Sequence, residues 1–571
     1  MDYLKRYNEW LQNPYFDEAT RKELAALEGN AKEIKERFFK DLEFGTGGLR
    51  GILGAGVNRM NIYTVRRATQ GLANCIIRAG GEKKGVAIAY DSRRMSPEFA
   101  LDSALCLCAN GIKAYLFESL RPTPELSFAV RELGCMAGIV ITASHNPPEY
   151  NGYKVYWEDG AQITYPKDEE VIKEVNSITD FSLVKTMDKD TALQAGLLTI
   201  IGEEIDDKYI AELKKLVINP INEEGKNLKI VYTPLHGTGN LPVRRILKEI
   251  GFENVYLVPE QELPDSNFST VAYPNPEDPK VFKLAKELAN EVGADIIIAT
   301  DPDADRLGVQ VRNLDGEFVL FNGNMTGALI AEYLFSQKAE NGTLPKNAAL
   351  IKTIVTGNIS GRIAEYYGAK LIEVLTGFKY IGEYIKLFEQ TGSNEFIFGF
   401  EESYGCLVGT HSRDKDAVVA VMILCEAAAY YKSQGLTLFE QMNRIYDKYG
   451  YYKEDLVSIT LKGIEGMEKI KSIMGEYRVN PPKAVGDYQV LRIRDYNADT
   501  ITDLRTGEKT PTGLPKSDVL YFELTDDAWC AIRPSGTEPK IKFYFGVRGN
   551  SLEDASQKLE RLSKDPVWQV D

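Results

Sequence analysis

The chain has 571 residues, of which 44% are hydrophobic and 26% are charged, a balance typical of globular proteins and unlike disordered or fibrous chains. Its formal net charge of -15 disfavours non-specific binding to nucleic acid or to an anionic membrane surface. No apolar run approaches the roughly 18 residues of a membrane span, and the seven cysteines lack the spacing of a disulfide framework or metal site, so we expect a cytoplasmic protein without nucleic-acid or membrane partners.

Residues 1–40 predict a charged, helical N-terminal segment. A glycine-rich stretch follows at residues 44–51, and we interpret it as a loop whose exposed amides, together with Arg50, can hold an anion. It does not end in the Gly-Lys-Ser/Thr of a phosphate-binding P-loop. Helices and strands then alternate through residues 41–200, which predicts a sheet of mostly parallel strands covered by helices.

The same alternation begins again twice, in residues 201–325 and 326–452. The last part, residues 453–571, contains several strands with few helices between them. The fold class that we expect is therefore α/β: three consecutive α/β domains with mixed sheets, followed by a smaller α+β domain with an antiparallel sheet.

The first chemically informative stretch is residues 138–154, where an apolar run rich in β-branched residues gives way to a polar loop. Pro147 and Pro148 cannot continue a central strand, so we expect the hydroxyl of Ser144 just past a strand end, on a stiff loop. Catalytic groups of α/β proteins lie in such loops. By itself, the motif is equally compatible with an ordinary turn.

The second stretch follows another apolar strand and contains Asp301, Asp303 and Asp305. Alternate residues of an extended chain share one face, so we expect the three carboxylates to converge. Three ionised carboxylates need a cation, and an all-oxygen ligand set favours Mg²⁺ or Mn²⁺ over zinc. The loop does not fit an EF-hand, because Arg306 stands where that motif requires glycine.

Two further loops carry polar groups suited to a sugar phosphate. Glu401 and Ser403 follow a strand and share a face from which they could hold hydroxyl groups. Residues 533–537 combine an arginine, two hydroxyls and a glycine, which suits a phosphate. A hydroxyl nucleophile, a metal site, a hydroxyl-binding loop and an anion-binding loop together indicate phosphoryl transfer on a sugar.

In this order and spacing, the four motifs resemble those of the α-D-phosphohexomutase family, over about residues 40–560. Residues 147–154 are most similar to the phosphoglucomutase/phosphopentomutase branch of that family. The resemblance implies a four-domain, heart-shaped protein with its site in a central cleft. It also implies that glucose 1-phosphate and glucose 6-phosphate are interconverted through a phosphoserine enzyme and a glucose 1,6-bisphosphate intermediate. Alternatives are a phosphopentomutase acting on ribose or deoxyribose 1-phosphate, and a non-catalytic sugar-phosphate binder.

The resemblance also implies roles for individual residues. Ser144 would carry the phosphoryl group, and Lys154, Arg50 and His145 would assist it. The expected metal ligands are Ser144, through its phosphate, and Asp301, Asp303 and Asp305. The expected substrate-binding residues are Arg306, Thr376, Gly377, Glu401, Ser403, Lys415, Arg533, Ser535, Gly536 and Thr537.

Cofactors and partners follow from the same resemblance. We expect one Mg²⁺ per chain, glucose 1,6-bisphosphate as activator, a sugar phosphate as the small-molecule partner, and a monomer or weak homodimer. A lysine that acts as a general base needs a lowered pKa, and we expect Arg50 and Mg²⁺ to lower that of Lys154.

Overall fold

The computed structural model describes residues 2–45, 47–461, 463–535 and 540–568. Within these residues, every helix is too short or too polar to cross a membrane. The chain divides into two compact units. The first consists of Met1–Leu320, Ile381–Gln390 and Gly405–Gln434, and the second of Phe321–Tyr380, Thr391–Tyr404 and Gly435–Asp571.

The predicted N-terminal helical segment consists of three short helices. Asp17 and Asn30 cap the second and third of these helices, because their side chains accept hydrogen bonds from the first free backbone amides. The buried face of the segment is aromatic, and Trp10 stacks on Phe16 with ring centroids 4.1 Å apart. The helices are α1 (Asp2–Gln12), α2 (Glu18–Ala25) and α3 (Ala31–Phe38).

The first sheet has six strands and is flanked by five helices. The strands are β1 (Gly48–Ile52), β2 (Val86–Tyr90), β3 (Ala114–Phe117), β4 (Ala137–Ile141), β5 (Tyr150–Trp157) and β6 (Leu198–Ile201), and the helices are α4 (Ile62–Arg78), α5 (Ser96–Ala109), α6 (Thr123–Glu132), α7 (Lys167–Ser177) and α8 (Lys189–Gln194). The strand order is β1-β5-β4-β2-β3-β6. The four strands β2, β3, β4 and β6 are parallel, whereas β5 is antiparallel to both β1 and β4.

Strand β1 differs from the sequence prediction, because part of the glycine-rich stretch interpreted as a loop is a strand paired with β5. Glycine is needed at position 48, where φ is +149° and a Cβ would lie 1.8 Å from the carbonyl oxygen of Tyr153. The glycines therefore serve close backbone approach within a sheet, and this pairing brings Arg50 opposite Gly152 in β5.

The second sheet has five strands. Its elements are α9 (Glu203–Lys214), α10 (Glu223–Lys226), β7 (Ile230–Thr233), α11 (Asn240–Glu249), β8 (Val255–Leu257), α12 (Pro259–Glu262), α13 (Lys283–Val292), β9 (Ile296–Thr300), β10 (Leu307–Arg312) and β11 (Phe318–Phe321). The order is β11-β10-β9-β7-β8, with β7, β8 and β9 parallel and β10 antiparallel to β9. Every residue of β9 is buried, as its apolar sequence predicts.

The third part of the chain again alternates helices and strands. Its elements are α14 (Gly323–Glu340), β12 (Ala348–Thr353), α15 (Ile359–Tyr366), β13 (Lys370–Val374), α16 (Lys379–Thr391), β14 (Glu395–Phe400), β15 (Cys406–Val408), α17 (Ala417–Ser433) and α18 (Leu438–Tyr449). In the second unit, β12 lies between β13 and β14 and is parallel to both. Strand β15 and helix α17 belong to the first unit.

The C-terminal part is a β-rich domain. Its elements are β16 (Tyr451–Thr460), α19 (Gly463–Val479), β17 (Ala484–Val485), β18 (Tyr488–Asp495), β19 (Thr500–Asp503), β20 (Lys509–Thr510), β21 (Leu520–Leu524), β22 (Trp529–Pro534), β23 (Lys540–Gly549) and α20 (Leu552–Ser563). The main path is β16-β23-β22-β21-β18-β19-β20, and neighbouring strands are antiparallel. Three α/β domains with mixed sheets followed by this domain confirm the predicted fold class.

Candidate active site

Ser144 lies in the loop between β4 and β5. Its backbone is in the left-handed region with φ of +51°, and the side chain is buried. The backbone amide of Ser144 donates to the hydroxyl of Thr142 at 2.8 Å. The serine therefore lies past the strand end, as expected, and its conformation is one that non-glycine residues rarely adopt.

Asp301, Asp303 and Asp305 follow β9 and are completely or almost completely buried. One carboxylate oxygen of each lies within 4.8 Å of the others. The carboxylates converge as predicted but not for the predicted reason, because the chain turns at Ala304, where φ is +51°, instead of continuing as a strand. The amides of Asp305 and Arg306 both donate to Asp301 Oδ1 at 3.1 Å and close this turn.

The first unit brings the serine, the carboxylates and two lysines together. Ser144 Oγ donates to Asp301 Oδ2 at 2.7 Å. Lys154 Nζ, on β5, lies 2.8 Å from Asp303 Oδ2 and 3.4 Å from Asp305 Oδ2. Lys415 Nζ approaches Asp305 Oδ2 at 3.2 Å. A hydroxyl, three carboxylates and two ammonium groups therefore share one buried cluster.

The carboxylates of this cluster differ in pKa. Burial raises the pKa of Asp301 well above its ordinary value, and the nearby charges of Asp303 and Asp305 raise it further. Burial also opposes ionisation of Asp303, but Lys154 outweighs that effect and holds the pKa of Asp303 below its ordinary value. The two lysines thus favour the ionised forms of Asp303 and Asp305, whereas ionisation of Asp301 is disfavoured.

The chain's own charges do not lower the pKa of Lys154, contrary to expectation. Burial lowers this pKa, but the carboxylates of Asp303 and Asp305 outweigh burial, so the pKa lies above its ordinary value. The physical reason is distance, since Lys154 lies directly against two carboxylates.

The three aspartates fit a divalent cation. Oδ1 of Asp303 and Oδ1 of Asp305 are buried and have no hydrogen-bond partner among the described residues. Unsatisfied buried carboxylate oxygens are costly, and hard oxygen ligands are those that Mg²⁺ prefers. The raised pKa of Asp301 indicates the same missing positive charge.

His145 and two arginines surround the serine. His145 Nδ1 lies 3.3 Å from Ser144 Oγ. Burial, followed by the charges of Arg306 and Arg50, lowers the pKa of His145 well below its ordinary value, so the imidazole is neutral. Arg50 donates to Asn146 Oδ1 at 3.2 Å. Arg306 donates to the carboxylate of Glu277 at 2.8 Å.

Sequence analysis missed Thr123, which directly contacts a metal-ligand candidate. Its amide donates to the carbonyl oxygen of Asp303 at 2.9 Å, and its hydroxyl donates to Asp303 Oδ2 at 2.9 Å. The only local signal is its place between Pro122 and Pro124, which marks the start of α6.

Sequence analysis also missed the residues that hold Lys415. Tyr156, on β5, donates its hydroxyl proton to Asp414 Oδ2 at 2.6 Å. The other oxygen of Asp414 lies 3.0 Å from Lys415 Nζ. Tyr156 and Asp414 are 258 residues apart, so no local pattern could have indicated the hydrogen bond between them.

The second unit brings two of the predicted sugar-binding loops together. The amide of Gly377, after β13, donates to Glu401 Oε1, after β14, at 2.9 Å. Thr376 and Ser403 are half-buried in the same two loops. Glu402 Oε2 accepts hydrogen bonds from Thr353 and Thr356 on the adjacent strand end.

The predicted phosphate loop lies between β22 and β23. Arg533 is the second-last residue of β22 and pairs with Lys542 of β23, and the amide of Ser535 donates to the carbonyl oxygen of Lys540 at 2.8 Å. Arg533 and Ser535 are half-buried. Gly536 and Thr537 lie outside the described residues.

Comparisons with known proteins found matches to family models and to individual relatives. Family models described as phosphoglucomutase/phosphomannomutase α/β/α domains I, II and III match residues 41–181, 207–316 and 322–449. A phosphoglucomutase from Staphylococcus saprophyticus is 36% identical over 98% of each chain, and one from Staphylococcus epidermidis is 39% identical over 93% of this chain and 95% of its own.

Two solved structures are similar in fold. One is a phosphoglucomutase/phosphomannomutase family protein from Burkholderia thailandensis, with a TM-score of 0.63 and 20% identity, covering 91% of this chain and 97% of its own. The other is the Paramecium phosphoglucomutase parafusin in an open form, with a TM-score of 0.64 and 17% identity, covering 91% and 93%.

Proposed function

Since the chain belongs to the phosphoglucomutase/phosphomannomutase family, we propose that it is a phosphoglucomutase, which reversibly interconverts glucose 1-phosphate and glucose 6-phosphate. One observation carries the proposal: the hydroxyl of Ser144 lies 2.7 Å from Asp301 in a buried cluster of three carboxylates that fits a divalent cation. Relatives named phosphoglucomutase, at 36–39% identity, support glucose as the sugar.

Ser144 is the residue that carries the phosphoryl group in this proposal. Phosphorylated Ser144 transfers the group to the free hydroxyl of the sugar monophosphate, so that the serine O–P bond breaks and a sugar O–P bond forms. The resulting glucose 1,6-bisphosphate then returns its other phosphoryl group to Ser144 Oγ. The two transfers leave the enzyme as it began, and the phosphate has changed position on the sugar.

Proton transfer belongs to groups beside the serine. A neutral imidazole can accept a proton, and His145 lies 3.3 Å from Ser144 Oγ in that state. A protonated amine can donate one, and the pKa of Lys154 favours that form. Arg50, on the adjacent strand, adds positive charge close to the transferred phosphoryl group.

Asp301, Asp303 and Asp305, together with the phosphate on Ser144, would hold one Mg²⁺. When bound, the ion would neutralise negative charge on the transferred phosphoryl group. Without it, Lys154 and Lys415 balance part of the carboxylate charge.

The proposal also names the residues that recognise the substrate. Arg306 and Lys415 bind the substrate beside the serine, whereas Thr376, Gly377, Glu401 and Ser403 hold the sugar hydroxyls. Arg533, Ser535, Gly536 and Thr537 hold the phosphate that is not reacting. We assign these roles to four domains, at residues 41–200, 201–325, 326–452 and 453–571. Glucose 1,6-bisphosphate acts as activator, because it can phosphorylate an enzyme that has lost its phosphoryl group.

The test is a coupled assay with Mg²⁺ and a trace of glucose 1,6-bisphosphate, applied to wild type, Ser144→Ala and the surface control Ser177→Ala. We expect Ser144→Ala to lose turnover by several orders of magnitude while unfolding at the wild-type temperature, because a nucleophile is removed and little packing is lost. Ser177→Ala should behave as wild type. Retained turnover in Ser144→Ala would contradict the mechanism. A higher kcat/KM for ribose or deoxyribose 1-phosphate than for glucose 1-phosphate would contradict the sugar assignment alone.

A further inference from the structure

Arg93 is almost completely buried and binds the loop that carries Ser144. Its Nη2 donates to the carbonyl oxygens of Ser144 and Asn146, each at 2.5 Å. Its Nη1 donates to the carbonyl oxygens of Pro147 at 2.9 Å and Tyr150 at 3.1 Å. One guanidinium group thus donates hydrogen bonds to four backbone carbonyls between the serine and the start of β5.

A second set of contacts fixes the backbone amide of Ser144. Arg93 Nε lies 3.3 Å from Asp91 Oδ2, which also accepts the hydroxyl proton of Thr142 at 2.7 Å. The hydroxyl of Thr142 in turn accepts from the amide of Ser144 at 2.8 Å. Both backbone polar groups of Ser144 are therefore fixed, the carbonyl by Arg93 and the amide by Thr142.

These contacts oppose a conformational strain. Ser144 has φ of +51°, and the left-handed region is unfavourable for a non-glycine residue. Such a conformation persists only when the surroundings impose it. In this conformation Ser144 Oγ lies 2.7 Å from Asp301, so the strained backbone is also what directs the hydroxyl to the carboxylates.

The contacts require an arginine and not merely a cation. The two Nη atoms donate hydrogen bonds to four carbonyls, and the charge of the guanidinium lies beside the Asp91 carboxylate, whereas a lysine offers one ammonium with three donors. The guanidinium carbon of Arg93 lies 4.9 Å from the centroid of the Phe268 ring. A cavity of about 620 Å³, bordered by Ser92, Met95 and Glu149, also borders Arg93.

We propose that Arg93 is a positioning residue that holds the backbone of Ser144 in its strained conformation, and thereby aligns the serine for phosphoryl transfer. This proposal rests on the proposed function. The side-chain hydrogen bonds of Arg93 described above all go to the loop that carries Ser144, so its loss should affect the transfer step and leave sugar binding largely intact.

The experiment compares Arg93→Ala, Arg93→Lys and the control Arg94→Ala, which changes the exposed neighbouring arginine. We measure kcat, KM for glucose 1-phosphate, and the rate at which labelled glucose 1,6-bisphosphate phosphorylates Ser144. Arg93→Ala should lose about a hundredfold in kcat and in phosphorylation rate, as expected for a misplaced reacting group, with KM little changed. Millimolar guanidinium should restore part of the activity of Arg93→Ala, and methylammonium should not. Arg94→Ala should match wild type.

Wild-type kcat in both Arg93 variants would overturn the proposal, as would a loss of activity that guanidinium does not restore. If Arg93→Ala does not fold, Arg93→Lys decides: folded protein with a lowered kcat and an unchanged KM supports the proposal, and an unchanged kcat overturns it. Amide hydrogen exchange of residues 144–150 provides a readout independent of activity. Faster exchange in the variants supports the role of Arg93 in holding the backbone of Ser144, and unchanged exchange overturns it. If exchange is faster but the wild type has no mutase activity, only the proposed function fails.

Discussion

Single hydrogen bonds between residues distant in sequence determine how the metal-ligand candidates are oriented. Asp303 illustrates this best, because its two carboxylate oxygens have different surroundings. Oδ2 accepts from Thr123 and from Lys154, whereas Oδ1 is buried without a hydrogen-bond partner among the described residues. A hydroxyl that fixes one oxygen leaves the other directed to a cation, which is how groups around a metal site orient its ligands.

We therefore expect Thr123→Val to weaken Mg²⁺ binding by about 10- to 100-fold, the usual cost of losing such an outer contact. The affinity is measured from the rise in unfolding temperature as Mg²⁺ is added, since a ligand that binds only the folded state stabilises it. Thr123→Ser keeps the hydroxyl and should bind Mg²⁺ nearly as wild type does. Equal affinities of the valine and serine variants would contradict this role of the hydroxyl.

At the level of elements, the three N-terminal helices have a structural role that the family resemblance did not supply. Their aromatic face packs against Tyr63 at the start of α4, and Trp10 lies at its centre with 3% of its surface exposed. Tyr63 in turn donates its hydroxyl proton to Asp17 at 3.0 Å. Helices of this length are marginal alone, so their stability comes from this packing.

We expect Trp10→Ala to lower the free energy of unfolding by about 3–5 kcal/mol, the cost of a large cavity in a core. Urea unfolding measures this loss, and kcat of the folded protein at low temperature should stay near the wild-type value, because no site residue is changed. Trp10→Phe leaves a smaller cavity and should cost clearly less. An unfolding midpoint unaffected by Trp10→Ala would mean that the segment is not part of the cooperative fold.

For the whole molecule, the stability depends on pH through groups whose pKa differs between the folded and the unfolded chain, and the net charge of -15 does not identify them. Glu454, a half-buried residue on β16, contributes such a dependence. Its carboxylate approaches Gly357 so closely that a Cβ there would lie 2.3 Å from Glu454 Oε1. Burial raises the pKa of Glu454 to about 7, although Asn324 and Lys352 act in the opposite direction.

This shift predicts a falling stability as pH rises between about 4.5 and 7. In that window the unfolded chain has released the proton of Glu454 and the folded chain has kept it, so the free energy of unfolding decreases, by at most about 3 kcal/mol. Glu454→Gln cannot titrate and should remove this part of the slope. The check is urea unfolding of both proteins across the window, and parallel curves would contradict the assignment.

The sequence by itself determined the features that depend on near neighbours in the chain. Apolar β-branched runs specify strands such as β4 and β9, and the polar residues that follow each run predict the loops with Ser144 and with Asp301, Asp303 and Asp305. The number and type of domains followed from the order of these patterns.

Only the tertiary structure decided which groups meet. Thr123 and Asp303 are 180 residues apart, and Arg93 and Ser144 are 51 apart, so neither contact leaves a local pattern. The pairing of β1 with β5 likewise needed the partner strand, since glycine-rich sequence alone suggested a loop. The chain's own charges act on the pKa of Lys154 in the same way: burial lowers this pKa, but two carboxylates that lie far away in sequence outweigh burial and raise it.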